Sequence, residues 1–186
     1  MNDMKEIRIE KITLNIGTGK PGPELDKGKL LLEKISGSKP VETLTTKRIP
    51  GWKIRPGLPI GTKVTLRGKK AIEVLKRLLA ANDNLLSIRS FDKKGNFSFG
   101  IPEYLEIPDM EYIPEVGIIG LEVAVTLERP GFRVKKRKYM KRTIAKKHDI
   151  TKQEGIDFAK KVYSIKLKEE EEEEWPQAIT KKFLLN

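Results

Sequence analysis

In Lys63-Val64-Thr65-Leu66-Arg67, polar and apolar residues alternate, the period of a half-buried strand. Val64 and Leu66 are expected to face a core. Lys63, Thr65 and Arg67 are expected to face out, as a row of hydrogen-bond donors with positive charge. Residues 7–16 alternate as well, but the parity breaks between Ile7, Ile9 and the later Ile12, Leu14, Ile16. The switch at Glu10-Lys11 predicts a bend or bulge, after which Lys11, Thr13 and Asn15 share a polar face. Phe97, Phe99 and Ile101 predict another strand, and Leu121, Val123, Val125 and Leu127 one more. Ser98, Gly100, Glu122, Ala124 and Thr126 take their other faces. Residues 41–45 are a candidate short strand.

Helical periodicity is clearest over residues 69–81, where Ala71, Ile72, Leu75, Leu78 and Leu79 form one stripe. Lys69, Lys70, Lys76 and Arg77 lie off it. Leu30, Leu31, Leu32 and Ile35 predict a short helix from about residue 26 to 36, ended near Gly37. Thr151 and Glu154 make a capping box before a last helix, IDFAKKVYSI. The segment IPEYLEIPDMEYIPEVG holds too many prolines for a central strand and reads as an ordered surface wrap. No internal repeat is visible.

Charge narrows the function. The chain has 186 residues, a formal net charge of +12 and a pI near 9.7, so it attracts polyanions. Nucleic acid, an anionic membrane surface or an acidic protein each fit that surplus. The chain has no cysteine, which removes disulfides and thiolate metal sites together. No run approaches a membrane-spanning length, and the first residues lack the apolar core of a signal peptide. A cytoplasmic protein is the simplest expectation.

Two basic stretches stand out. In the loop before Lys63, the cations Lys47, Arg48, Lys53 and Arg55 surround one indole, Trp52. Cations beside an exposed aromatic suit a phosphate backbone with a base or sugar to stack on; a core-anchoring Trp52 with solvated cations is the alternative. From Arg129 to Lys147 there are ten Lys or Arg and no acid, interleaved with Phe132 and Tyr139. That density predicts a polyanion contact, against the alternative of a solubilising loop.

Other motifs are decoys. Gly17-Thr-Gly19-Lys-Pro-Gly22 matches the dinucleotide fingerprint, with Glu42 at about the right distance. Pro21 and Pro23 remove amide donors where a pyrophosphate needs them, and residues 41–45 are too short and polar for a buried parallel strand. GLPIGTK has the wrong spacing for a phosphate loop. His148 is the only histidine and sits among lysines. These residues call for no catalytic site, metal or cofactor.

The blocks KITLNIG (11–17), ISGSKP (35–40), WKIRPGLPIGTKVTLRG (52–68), SFDKKGNFSFGIPE (90–103) and GLEVAVTL (120–127) resemble one family in order and spacing. It is the universal large-subunit ribosomal protein numbered five in bacteria and archaea and eleven in eukaryotes. The resemblance covers roughly residues 5–162. The basic insertion 129–150 looks like the archaeal and eukaryotic form. The resemblance implies an α+β fold, an antiparallel sheet with helices packed on one face. It implies a single RNA-binding domain over 1–166; the acidic tail has no counterpart in the family, and the run Glu169–Glu174 by its composition predicts a disordered extension over 167–186.

The resemblance also implies a non-catalytic role in the large subunit, binding 5S rRNA in the central protuberance. The loop before the third strand would reach P-site tRNA. Partners would be 5S rRNA, 23S rRNA, P-site tRNA, neighbouring central-protuberance proteins and a small-subunit head protein across the intersubunit bridge, with no membrane. Family contacts fall on Asn15, Thr65 and Arg67. A fourth falls on Ser38, where the family often has a longer Gln. Lys39 and Lys63 join this 5S set. Lys47, Arg48, Trp52, Lys53 and Arg55 form the expected tRNA-contacting loop. Arg133, Lys135, Lys136, Arg137, Lys138, Lys141 and Arg142 form an additional rRNA-binding set. A free nucleic-acid-binding regulator and a nucleotide-binding enzyme using Gly17–Gly22 are the rival readings.

Overall fold

The computed structural model describes residues 3–168. A five-stranded antiparallel sheet is built from β1 (Arg8–Gly17), β2 (Val41–Leu44), β3 (Pro59–Leu66), β5 (Phe97–Ile101) and β6 (Leu121–Glu128), in the order β2-β3-β1-β6-β5. The helices are α1 (Pro23–Ser36), α2 (Gly68–Ala81), a short α3 (Arg133–Lys136) and α4 (Lys152–Tyr163). A separate parallel pair joins β4 (Leu85–Ser87) to β7 (Lys166–Lys168). The protein is therefore α+β.

β1 lies at the centre, hydrogen-bonded to β3 on one side and β6 on the other. Its register with β6 slips between Ile9 and Lys11. The bulge expected at Glu10-Lys11 is thus present, and it explains why apolar parity changes there. Ile12, Leu14 and Ile16 are buried with Val64, Leu66, Val123, Val125 and Phe97 in one cluster. Each fully buried aliphatic contributes roughly 1.5–3 kcal/mol. α1 packs against β3 and α2 against β1, and their buried Leu31, Leu32, Ile35, Leu75, Leu78 and Leu79 join the same cluster. The opposite sheet face keeps its polar alternation.

Two readings of the apolar pattern need correction. Ile72, placed on the buried stripe of α2, is 41% exposed, and Val74 is buried instead. Both fit the helical period, and packing against β1 selects between them. The parallel β4–β7 pair was missed because three-residue strands carry no readable alternation. Glu169–Glu174 and the rest of the expected acidic extension beyond Lys168 lie outside the described residues.

The proline-rich segment does wrap the surface. It contains a single turn of 3₁₀-helix, Tyr104–Glu106. It is pinned by Tyr104, whose hydroxyl accepts a 2.9 Å hydrogen bond from the Ile113 amide, and by Ile107, Ile113 and Val116 in the core. The capping box of α4 is complete: Thr151 accepts from the Glu154 amide and Glu154 reaches back to the Thr151 amide. Glu154 also binds Arg129 at 2.7 Å. Arg129 is only 5% exposed and also donates to the His148 and Asp149 carbonyls.

α4 approaches the turn before β5 backbone to backbone. A Cβ at Gly155 would lie 2.4 Å from the Gly95 carbonyl oxygen. Gly155→Ala should therefore destabilise by about 1–3 kcal/mol, the cost of overpacking, although alanine is the better helix former. Urea unfolding midpoints decide the matter; a stabilised variant would mean that this contact is not tight.

Candidate nucleic-acid interface

The sheet face away from α1 and α2 carries the residues expected to point outward, and strand register arranges them in rows. One row runs Val41, Lys63, Asn15, Glu122, Gly100 across all five strands. The next runs Thr65, Thr13, Ala124, Ser98. Lys11 and Thr126 follow. These are mostly short side chains, so the surface is shallow. It offers hydroxyl and amide groups with ammonium groups beside them. Such groups can bind ribose hydroxyls and phosphates without a deep groove. Asn15, Lys63 and Thr65, predicted separately from two segments, are brought together here.

Arg67 sits at one border, as the N-terminal flanking residue of α2. The first turn of α2 has no side-chain cap and no acid; it has Lys69 and Lys70 instead. Cations at a helix N-terminus oppose the helix dipole, so they need another cause. For Lys70 the cause is structural. Its Nζ donates to the Gly37 carbonyl and the Ser38 hydroxyl, both at 2.7 Å. This tie brings the Ser38 block, with exposed Lys39, to the start of α2, three residues from Arg67. Sequence reasoning placed Lys70 off the apolar stripe and gave it no role; the unfavourable dipole was the available signal.

The basic loop is a hairpin projecting beyond β2 and β3. Ile49 and Ile54 exchange backbone hydrogen bonds at 3.0 and 3.1 Å. A 3₁₀ turn, Pro50–Trp52, forms the tip, and Lys53 takes left-handed backbone. Ile54 is 6% exposed and unavailable for an outside contact, whereas Trp52 is 73% exposed. Trp52 is therefore no core anchor. Lys47, Arg48, Lys53 and Arg55 are all exposed around it.

The second basic stretch divides. Arg133, Arg137, Lys138, Lys141 and Arg142 are exposed. Lys135 lies 3.6 Å above the Phe132 ring and 3.6 Å from Asp149. Lys136 binds Glu10 and, at 3.0 Å, Glu128, which also binds Arg8 at 2.8 Å. Glu10, distant in sequence, and Glu128 and Asp149 at the two edges of the stretch thus oppose part of a segment that has no acid of its own, and Glu10 and Glu128 staple it to β1 and β6.

The depression on the sheet face is open to solvent, and among the described residues no cluster of three or more His, Asp or Glu is placed to hold a metal. Fold and face together have the build of a docking protein, one that presents a broad cationic surface. Comparison with known proteins makes this specific. Residues 2–55 match the family described as ribosomal protein L5, and residues 59–158 match the C-terminal part of the same ribosomal family. The chain belongs to the ribosomal protein L5 family, whose members are structural and not enzymatic.

It is similar to the large ribosomal subunit protein uL5 of Nanoarchaeum equitans, with 50% identity over 88% of this chain and 97% of that protein. It is also similar to the proteins of the same name from Sulfurisphaera tokodaii, at 46% over 91% and 96%, and Methanococcus aeolicus, at 45% over 90% and 94%.

The staple has a pH signature. Burial pushes the Glu128 carboxyl up, but hydrogen bonds from Lys136 and Arg8 outweigh it and hold the group below the ordinary carboxylate range. A carboxyl lowered by folding adds stability above its unfolded pKa and loses it as pH falls through the folded one. Glu128→Gln should therefore cost up to about 1 kcal/mol near neutral pH. The gap to the wild type should close in strong acid. Denaturant unfolding across pH checks this; a gap that widens on acidification would contradict it.

Proposed function

We propose that this protein is a cytoplasmic structural component of the large ribosomal subunit whose open sheet face holds 5S rRNA in the central protuberance. The carrying observation is the register that gathers Asn15, Lys63 and Thr65 on one uncovered face, with Arg67 and the Ser38–Lys39 block at its border. Short hydroxyl and amide groups suit the wide minor groove of RNA and its 2′-hydroxyls. The relatives' name, large ribosomal subunit protein uL5, supports the setting.

The hairpin tip is the part proposed to reach P-site tRNA, with cations for phosphates and Trp52 for a ribose or base. The exposed cations of the second basic stretch are proposed to contact 23S rRNA. Central-protuberance proteins and a small-subunit head protein would complete the surroundings.

Arg67→Ala should weaken 5S rRNA binding by about 1.5–3 kcal/mol, the range for hydrogen bonds to a charged group. Folding should be intact, because Val64 and Leu66 carry the burial there. Unchanged affinity in a folded variant would overturn the assignment of the face. A free regulator would bind DNA of equal length and charge as tightly as 5S rRNA; the proposed reading requires a clear preference for the RNA.

Replacing Lys47, Arg48, Lys53 and Arg55 together with Ala should leave 5S affinity within roughly 1 kcal/mol, since screening limits exposed charges to about 8–10 Å. Reconstituted ribosomes should release P-site tRNA faster, by a margin that shrinks as salt rises. Collapsed 5S affinity with normal tRNA retention would place the hairpin in the 5S site.

A further inference from the structure

The sheet face carries a carboxylate that the cationic reading leaves unexplained. Glu10 and Glu128 are matched by Lys136 and Arg8. Glu122 has no cation within ion-pair distance among the described residues. It stands in the middle of a row, between Asn15 and Gly100. A bare carboxylate repels phosphate. A nucleic acid lying on this row must therefore set something other than phosphate against Glu122.

The surroundings narrow what that is. Asn15 Nδ2 lies 3.4 Å from Glu122 Oε2. A carboxylate only accepts, so the amide NH₂ must be the group that faces it, and the Asn15 carbonyl is left free as an acceptor. Both side chains line an open depression of about 550 Å³ whose lining includes Gly17 and Gly100. A Cβ at either glycine would meet nothing within 4 Å. There is room for a flat ring beside the two acceptors.

We propose that Glu122 is a specificity-determining residue that reads one unpaired guanine, with Asn15 beside it. Guanine presents two adjacent parallel donors, N1–H and the 2-amino group, which match the two oxygens of a carboxylate. Adenine and cytosine place a ring acceptor beside their amino group, and uracil flanks its single donor with two carbonyls; each of those acceptors is repelled by Glu122. Single-stranded RNA exposes its Watson–Crick edges to such contacts. The inference rests on the proposal that RNA occupies this face.

The test is kethoxal probing, which modifies guanine at N1 and N2, on total ribosomal RNA bound by the full chain. The wild type should shield one unpaired guanine. Glu122→Gln, which replaces one acceptor by a donor, should expose that guanine, leave other protections in place and weaken binding about ten-fold, within the range for a bidentate base contact. Gly100→Leu, which fills the depression beside Glu122 and keeps its carboxylate, should expose the same guanine. A shielded guanine outside 5S rRNA would uphold this inference and overturn the 5S assignment. The inference is overturned if the wild type shields no guanine, or if Glu122→Gln binds as tightly or more tightly with an unchanged pattern.

Discussion

β1 is tied on both sides, to β3 and β6, and everything on the exposed face depends on that double pairing. Side chains alternate strictly along a strand, so burying Ile12, Leu14 and Ile16 under the helices forces Thr13 and Asn15 outward. Antiparallel register then decides which residues of β3 and β6 stand beside them. A slip of one residue would turn every polar group of β1 into the core. The bulge at Glu10-Lys11 lets Ile7, just before the strand, and Ile9, near its start, pack against the core without disturbing that arrangement.

Function follows from what covers the sheet. α1 and α2 pack on one side only, and the other side is left as rows of short polar groups. The borders supply most of the charge. Arg67 stands at the head of α2, Lys70 holds the Ser38 block there, and the hairpin carries its cations around Trp52. The second basic stretch is anchored by the Arg8, Glu10, Glu128 and Lys136 group and by Arg129 with Glu154. Anchoring leaves Arg133, Arg137, Lys138, Lys141 and Arg142 facing solvent. The division into structural and free cations is a property of the fold.

Much of this was legible in the sequence because alternation is local. The four long strands, the bulge, the capping box and the outward set at residues 11–15 and 63–67 were all readable from spacing. What was not readable depended on distant partners. Nothing near Lys136 in sequence announces Glu10. Nothing near Lys70 announces Ser38, and Ile72 and Val74 both fit the helical stripe. The β4–β7 pair is too short for any period. Antiparallel strand order also removes the dinucleotide reading of Gly17–Gly22, since β1 has no parallel neighbour and Glu42 is held by Lys29.

The central claim is that the open sheet face, and not the helical side, carries the RNA. Lysine acetylation followed by mass spectrometry, with and without 5S rRNA, reads both sides at once. Binding should slow modification of Lys11 and Lys63 on the sheet face several-fold and leave the exposed Lys34 of α1 and Lys76 of α2 unchanged. The reverse pattern, with the α1 and α2 lysines shielded and the sheet-face lysines still reactive, would contradict the account.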